Sequence, residues 1–353
     1  MNLEPSDDEL SHDKLSFPFT PPRSWGDLVD VAPGIKWFRQ PMPYSLNHVN
    51  VYLLQGDEGW LILDTGLDSP KTRGIWEDLF SGPLKGEKVI GVYSTHHHID
   101  HIGLAGYLTE RLRVPLYMTF KEYFSLRGWP ANLKEVPWQH VDLCHKIGLP
   151  KAICEQSLVL YDFNDVISTP PLSFRQLKDG AALPVLGGDW RVMVGEGHAP
   201  ELAMLYSAQQ KILISGDQLL PRISSNVSVS PVNPDDEPLS AWFNSLDRLA
   251  EIPDDVLVLP GHGLPFRSAK RRVAELREHH DQRIKFILDN CAVRGFSVFE
   301  LMQAMYPEPL NDFNMQLALG EAMAHVNYLL ANSRLLGNVN SDGVLLLTTA
   351  LSH

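Results

Sequence analysis

Short apolar runs bounded by turn-forming or polar residues recur along the first three quarters of the chain, at 35–38, 49–54, 60–63, 89–94 and 115–118, and again at 190–194, 202–207, 211–215 and 256–259. Their length and their β-branched content predict strands. Between the early runs, Asp68-Ser69-Pro70 supplies a cap and a first-turn proline, which opens a helix toward Phe80. Residues 119–188 break the rhythm: they are rich in aromatics, contain helical stretches, and end in the Pro170-Pro171 and Leu186-Gly187-Gly188 loops. After Pro260 the pattern turns helical, with a long helix over about 268–290, shorter ones over about 297–305 and 313–332, and a hairpin of 335–339 and 344–347 around Asn340-Ser341-Asp342-Gly343. The acidic, Pro-containing stretch 1–30 has no period and reads as a loosely held arm. The expected organisation is an N-terminal arm (1–30), a strand-rich domain (31–265) with an insertion at about 119–188, and a mostly helical domain (266–353).

The 353 residues fit two domains at roughly 150 residues each. With 44% hydrophobic and 21% charged residues, the chain is neither disordered nor collagen-like. A net charge of −13 repels polyanions, so nonspecific binding of nucleic acid or of anionic membranes would need a strong basic patch. Residues 296–353 hold one basic side chain, Arg334, against five acidic ones, which argues against a DNA-binding role for the tail. Met302, Met305, Leu317 and Leu329 are expected in the core of that tail. Three cysteines (Cys144, Cys154, Cys291) without motif spacing argue against a disulfide framework and against a cysteine-built zinc module. The N-terminus has neither a positive start nor an apolar core, and no apolar run reaches membrane-spanning length, so a reducing cytoplasm is the expected setting.

The chemistry is concentrated in Ser94-Thr95-His96-His97-His98-Ile99-Asp100-His101, directly after a hydrophobic strand. In an extended chain His96, His98 and Asp100 share a side, whereas the neighbours Asp100 and His101 do not, so the backbone has to turn there. Imidazoles and a carboxylate on a strand-end loop suit one or two borderline-soft divalent cations. His198, Asp217 and His262 each follow an apolar strand, and all of them could gather at one edge of a sheet scaffold.

On these residues the chain resembles the metallo-β-lactamase superfamily. His96, His98, Asp100 and His101 meet its H-x-H-x-D-H signature, and His198, Asp217 and His262 match its later ligands. The resemblance implies an α/β fold, a four-layer αβ/βα sandwich with metals at one edge, followed here by a C-terminal winged-helix-like domain. It also implies that His96, His98 and His198 hold one metal and that Asp100, His101 and His262 hold the other. Asp217 would bridge the two, and Asp64 would support the ligand loop without binding metal. The ligand set is similar to that of glyoxalase II, acyl-homoserine lactonases and the β-lactamase-like-2 group; Asn47-His48-Val49-Asn50-Val51-Tyr52-Leu53 and the helices plus hairpin after 290 resemble the last of these most. Glu201-Leu202 stands where many relatives carry Gly-His, and the span from His101 to His198 is longer than in compact members.

The implied cofactor is a pair of divalent metal ions, zinc first, with iron or manganese tolerated by the same ligands. A water shared between two such cations becomes hydroxide near neutral pH and attacks an acyl carbonyl, with Asp100 and Asp217 as catalytic carboxylates. A thiolate leaves with little acid assistance, which favours a small acyl thioester of the acyl-glutathione or acyl-CoA type. A lactonase is the main alternative, followed by an endoribonuclease, a mononuclear iron dioxygenase and a noncatalytic metal-binding protein. The partner is a small-molecule acyl substrate, with self-association into a homo-oligomer left open. Candidate substrate contacts are Arg222 and Asn226 after Asp217, Arg267, Lys270 and Arg271 after the last ligand, and Trp129 and Trp138 in the insertion.

Overall fold

The computed structural model describes residues 15–44, 46–128, 136–157 and 165–350. The strands are β1 (Val29–Ala32), β2 (Ile35–Pro41), β3 (His48–Gly56), β4 (Gly59–Leu63), β5 (Val89–Tyr93), β6 (Leu116–Met118), β7 (Phe174–Gln176), β8 (Arg191–Gly195), β9 (Leu202–Ser207), β10 (Ile212–Gly216), β11 (Leu257–Pro260), β12 (Leu335–Val339) and β13 (Leu345–Thr349). The helices are α1 (Pro70–Ser81), α2 (Ile99–Ile102), α3 (Ala105–Leu112), α4 (Phe120–Gly128), α5 (Trp138–Lys146), α6 (Lys151–Ser157), α7 (Pro238–Ala250), α8 (Ala269–Cys291), α9 (Val298–Met305) and α10 (Asp312–Ala331). Among the described residues, no helix is long and apolar enough to cross a membrane.

Strands β1 to β7 form one sheet in chain order, and a second sheet runs β11-β10-β9-β8. The first is antiparallel through β4 and parallel from β4 to β7. Strict alternation divides its side chains. Tyr52, Leu54, Leu61 and Leu63 meet Val192, Leu205, Ile214 and Leu259 of the second sheet in one core. Their neighbours Val51, Leu53, Trp60 and Ile62 face Trp76, Leu79, Leu108 and Tyr123 of α1, α3 and α4 in another. Both faces of β3 and β4 are therefore dry, which is why these strands read as unbroken apolar runs rather than alternating ones.

The Ser69 cap on α1 is present: its hydroxyl accepts from Thr72 N, and Thr72 Oγ1 accepts from Ser69 N. Two other expectations change. The expected arm 1–30 lies partly outside the described residues, but from Leu15 onward the chain is packed: Ser16 bridges Arg267, and Phe17 and Phe19 lie against the inter-sheet core. Not all of 119–188 is an insertion, since Tyr123 stacks on Phe174 at 4.1 Å and both belong to the layer of helices covering the first sheet.

The chain divides into two compact units, 1–129 with 163–225 and 248–273, and 130–162 with 226–247 and 274–353. In the second, α9 and α10 bury Leu301, Met302, Met305, Ala322, Val326 and Leu329, and β12 and β13 close a hairpin. Leu317 departs from expectation at 38% exposed, because its position on α10 turns it away from that core. The turn at Asn340–Gly343 forms as expected, with Gly343 at φ +82.

Trp76 is fully buried, packs edge-on against Phe38 at 5.2 Å, and donates its indole N–H to Thr65 O at 3.0 Å. Trp76→Ala should lower unfolding free energy by about 3–5 kcal/mol, the range for emptying a packed aromatic site, as read from urea denaturation.

Candidate metal centre

Parallel pairing sets one common edge. β4 and β5 are parallel, so Asp64 and the His96–His101 segment leave the first sheet at the same end. β10 and β11 are parallel, and β8 runs with β10 because each is antiparallel to β9, so His198, Asp217 and His262 leave the second sheet together. A hydrogen bond from Ala203 N to Thr95 O at 2.8 Å joins the two groups of loops. The turn required between Asp100 and His101 is α2, a single helical turn that starts after His98.

His96 Nε2 lies 3.0 Å from His98 Nδ1 and 3.3 Å from His198 Nε2. Beside them, Asp100 Oδ2 is 3.4 Å from His101 Nε2 and 3.2 Å from His262 Nε2. Asp217 reaches both sets: its Oδ1 is 3.4 Å from His101 Nε2, and its Oδ2 is 3.3 Å from His262 Nε2 and 3.7 Å from His198 Nε2. Two tetrahedral ligands at Zn–N distances of 2.0–2.1 Å sit about 3.3 Å apart, so the spacing suits cation coordination.

The far ring nitrogens show which lone pairs point inward. Thr95 Oγ1 donates to Asp64 at 2.9 Å and so accepts from His96 Nδ1 at 2.9 Å. His101 Nδ1 donates to Asp64 Oδ2 at 2.7 Å, and His262 Nδ1 donates to His48 O at 2.7 Å. In each ring Nδ1 is engaged from outside the cluster, which leaves Nε2 directed into it. His101 Nε2 and Asp217 Oδ1 are buried and have no hydrogen-bond partner among the described residues. Burial, and then the crowding of neighbouring imidazoles, hold His96 and His98 well below the usual imidazole pKa, so both are neutral. Burial alone would raise Asp217, but His262 and His101 hold it well below the carboxylate range. Burial alone would lower His101 and His262 as well, but the Asp100 and Asp217 carboxylates raise both, His262 to about 10, so imidazolium protons supply here the positive charge that a divalent cation would bring when bound.

Glycine is obligatory at one point of this wall, because a Cβ on Gly261 would lie 2.1 Å from Asp217 Oδ1. Asp64 sits at φ +59, a strained position, and from there takes Thr95 N at 2.8 Å as well as His101. The Asn47–Leu53 motif holds the last ligand loop: Asn50 Nδ2 donates to Pro260 O and Gly263 O at 2.9 Å, Tyr52 OH donates to Pro260 O at 2.8 Å, and Gly263 N donates to His48 Nε2 at 3.0 Å.

Two residues that bear on the site carry no sequence signal. Glu122, fully buried on α4, accepts from His97 N at 2.9 Å, His97 Nδ1 at 2.5 Å and Glu201 N at 2.7 Å. It turns His97 away from the cluster and ties the first ligand loop to the segment after His198. Glu201, the departure from Gly-His, completes this clamp by accepting from Lys121 N at 3.0 Å, while its carbonyl accepts from Thr119 Oγ1 at 2.8 Å. Tyr44 is 37% exposed, and burial, then the charge of Asp100, raise its phenol pKa.

The expected substrate contacts are less concentrated. Arg222 is half-buried on the loop after Asp217, and its carbonyl accepts from Arg272 Nη2 at 2.6 Å. Arg272 is itself buried and also serves Leu220 O and Ile223 O, so this cation braces a loop instead of facing an anion. Arg267 donates to Asp255 O, at the opposite end of β11 from His262. Lys270 and Arg271 are exposed on the first turn of α8. Asn226 accepts from Ser228 Oγ and belongs to the second compact unit. Trp138, also in that unit, is 73% exposed, and Trp129 lies outside the described residues.

Comparison with known proteins agrees with this geometry. Residues 45–262 match the family model described as metallo-beta-lactamase superfamily, and residues 284–350 match metallo-beta-lactamase-like, C-terminal domain. A crystal structure of a beta-lactamase domain protein from Burkholderia ambifaria is 37% identical, with a TM-score of 0.88 over 96% of this chain and 98% of that one. A metallo-beta-lactamase family protein from Thermus thermophilus is 28% identical, with a TM-score of 0.75 over 91% of this chain and all of that one (100%). Among curated proteins, the probable metallo-hydrolase YqjP of Bacillus subtilis (strain 168) is 26% identical over 82% of this chain and 90% of its own. The acyl-coenzyme A thioesterase MBLAC2 of Homo sapiens is 26% identical over 67% of this chain and 81% of its own.

Glu122→Gln and Asp64→Asn keep side-chain shape while removing charge from the ligand supports. Each should weaken metal affinity by about 10- to 100-fold, as read by competition with a chromophoric chelator. Gly261→Ala should abolish high-affinity binding of at least one cation; an unchanged titration would mean that Asp217 is free to move.

Proposed function

Since the chain belongs to the metallo-β-lactamase superfamily, we propose that it is a binuclear metal-dependent hydrolase of small acyl thioesters. The observation carrying this reading is the cluster of seven converging donors, in which buried His101 Nε2 and Asp217 Oδ1 have no hydrogen-bond partner among the described residues. His96, His98 and His198 would hold one cation and Asp100, His101 and His262 the other, with Asp217 shared; zinc suits this set of nitrogen and oxygen donors. Such cations, when bound, supply water activation near neutral pH and polarisation of the acyl carbonyl. Asp100 and Asp217 are the carboxylates available to take the proton of the attacking water, and Tyr44, whose phenol feels the charge of Asp100, is the candidate donor to the departing group. A thiolate, whose conjugate acid has a pKa of about 8.5, needs that help least. The relative named as an acyl-coenzyme A thioesterase supports the same substrate class.

His98→Ala and Asp217→Ala should each lose metal and hydrolytic activity together. Metal analysis paired with turnover of acyl-CoA, acyl-glutathione, acyl-homoserine lactones and RNA tests the assignment. Thioester turnover that vanishes on chelation and returns with zinc is expected. Full turnover by metal-free protein would sink the mechanism, and faster cleavage of lactones or RNA would reassign the substrate.

A further inference from the structure

Outside the ligand cluster, a second group of metal-binding side chains comes together in the other compact unit. His140 and Cys144 lie four residues apart on α5, a spacing that puts both on one face of a helix. After Cys144, Leu149 N donates to Cys144 O at 2.8 Å, and Gly148 adopts φ +80 to reverse the chain. Cys154 then returns on α6, where Cys154 N donates to Pro150 O at 3.0 Å. All three side chains are buried, at 8%, 3% and 3% exposure, and one ligand atom from each lies within 4.8 Å of the others. Neither cysteine is in a disulfide.

We propose that His140, Cys144 and Cys154 form a separate binding site for a divalent thiophilic cation, zinc in particular. The cysteine spacing argued against a zinc module because it counted cysteines alone; the fold adds His140, which nothing along the chain joins to them. Ideal tetrahedral coordination at about 2.3 Å to sulfur and about 2.0 Å to nitrogen needs donor separations of about 3.5–3.8 Å, and the three donors lie within 4.8 Å of one another. Charge selects the valence. Binding releases the two thiol protons to solvent, so two thiolates, a neutral imidazole and a divalent cation sum to zero, whereas a monovalent ion would leave a buried negative charge. The site would staple α5 to α6. The turn between them is already held to the rest of its unit, with Phe299 N donating to Ile147 O at 3.0 Å and a Cβ on Gly148 meeting Ser297 Oγ at 2.8 Å.

The test uses the full chain carrying His98→Ala and Asp217→Ala, which removes metal from the hydrolytic centre, purified under reducing conditions. Elemental analysis should still find about one zinc per chain. Cobalt loading should give a thiolate-to-cobalt charge-transfer band, to which the nitrogen and oxygen ligands of the other centre do not contribute. Adding Cys144→Ser and Cys154→Ser should remove both signals. The band in the parent chain requires no cysteine substitution, so a poorly folding variant does not blunt the test. Absence of the band while all thiols titrate as reduced, or a Cys144–Cys154 disulfide found by mass spectrometry, would overturn the proposal.

Discussion

Seven ligand-type side chains crowd one sheet edge, and they stay in place only because the loops carrying them are fixed from behind. The cost of that convergence explains much of the surrounding architecture. Asp64 accepts a strained backbone to reach Thr95 and His101, His48 gives its carbonyl to His262, and Glu122 joins two loops whose sequences lie far apart. A divalent cation, when bound, would turn that crowding into coordination, so metal affinity and loop rigidity are two readings of one free energy.

The two-sheet core supplies the rigidity that side-chain hydrogen bonds alone would not. Strands dry on both faces, such as β3 and β4, cannot shift register by one residue without exchanging the contents of two cores. Asn50 and Tyr52 on β3 therefore hold the Pro260–Gly263 loop from a fixed platform. Trp76 does the same beneath Thr65, whose hydroxyl donates to His101 O at 2.8 Å. The helical layer thus reaches the ligands through only one intervening residue.

Much of this was legible in the chain because the signals are local. Each buried strand is a short apolar run with turn residues at its ends, and the H-x-H-x-D-H stretch places four donors within six positions. β1, with the mixed sequence Val-Asp-Val-Ala, and the three-residue β7 escaped because an edge strand has too few buried positions to produce a pattern. Helix α7 escaped differently: Leu239, Trp242, Leu246 and Leu249 repeat at helical spacing, but Pro231, Pro234 and Pro238 ahead of them give the segment the look of a loop. Arg267, Lys270 and Arg271, after His262, stood out along the sequence as candidate substrate contacts. In space Arg272, on α8, braces the 220–223 loop, while Arg267, ahead of that helix, donates to Asp255 O at the far end of β11.

Glu122 and His140 mark the limit of such reading. Glu122 acts on His97 and Glu201, 25 and 79 positions away, and nothing in its own neighbourhood distinguishes it from the solvated glutamates of other helices. His140 gains meaning only through Cys154, across a turn set by one glycine. In both cases the residue type is ordinary and the burial is not. A carboxylate with no exposed surface must be balanced by donors, and a pair of buried thiols beside an imidazole needs something to replace its protons if it is to act as more than packing. Burial of a polar group is thus a sharper pointer to function than its identity, and it becomes visible only once the chain has folded.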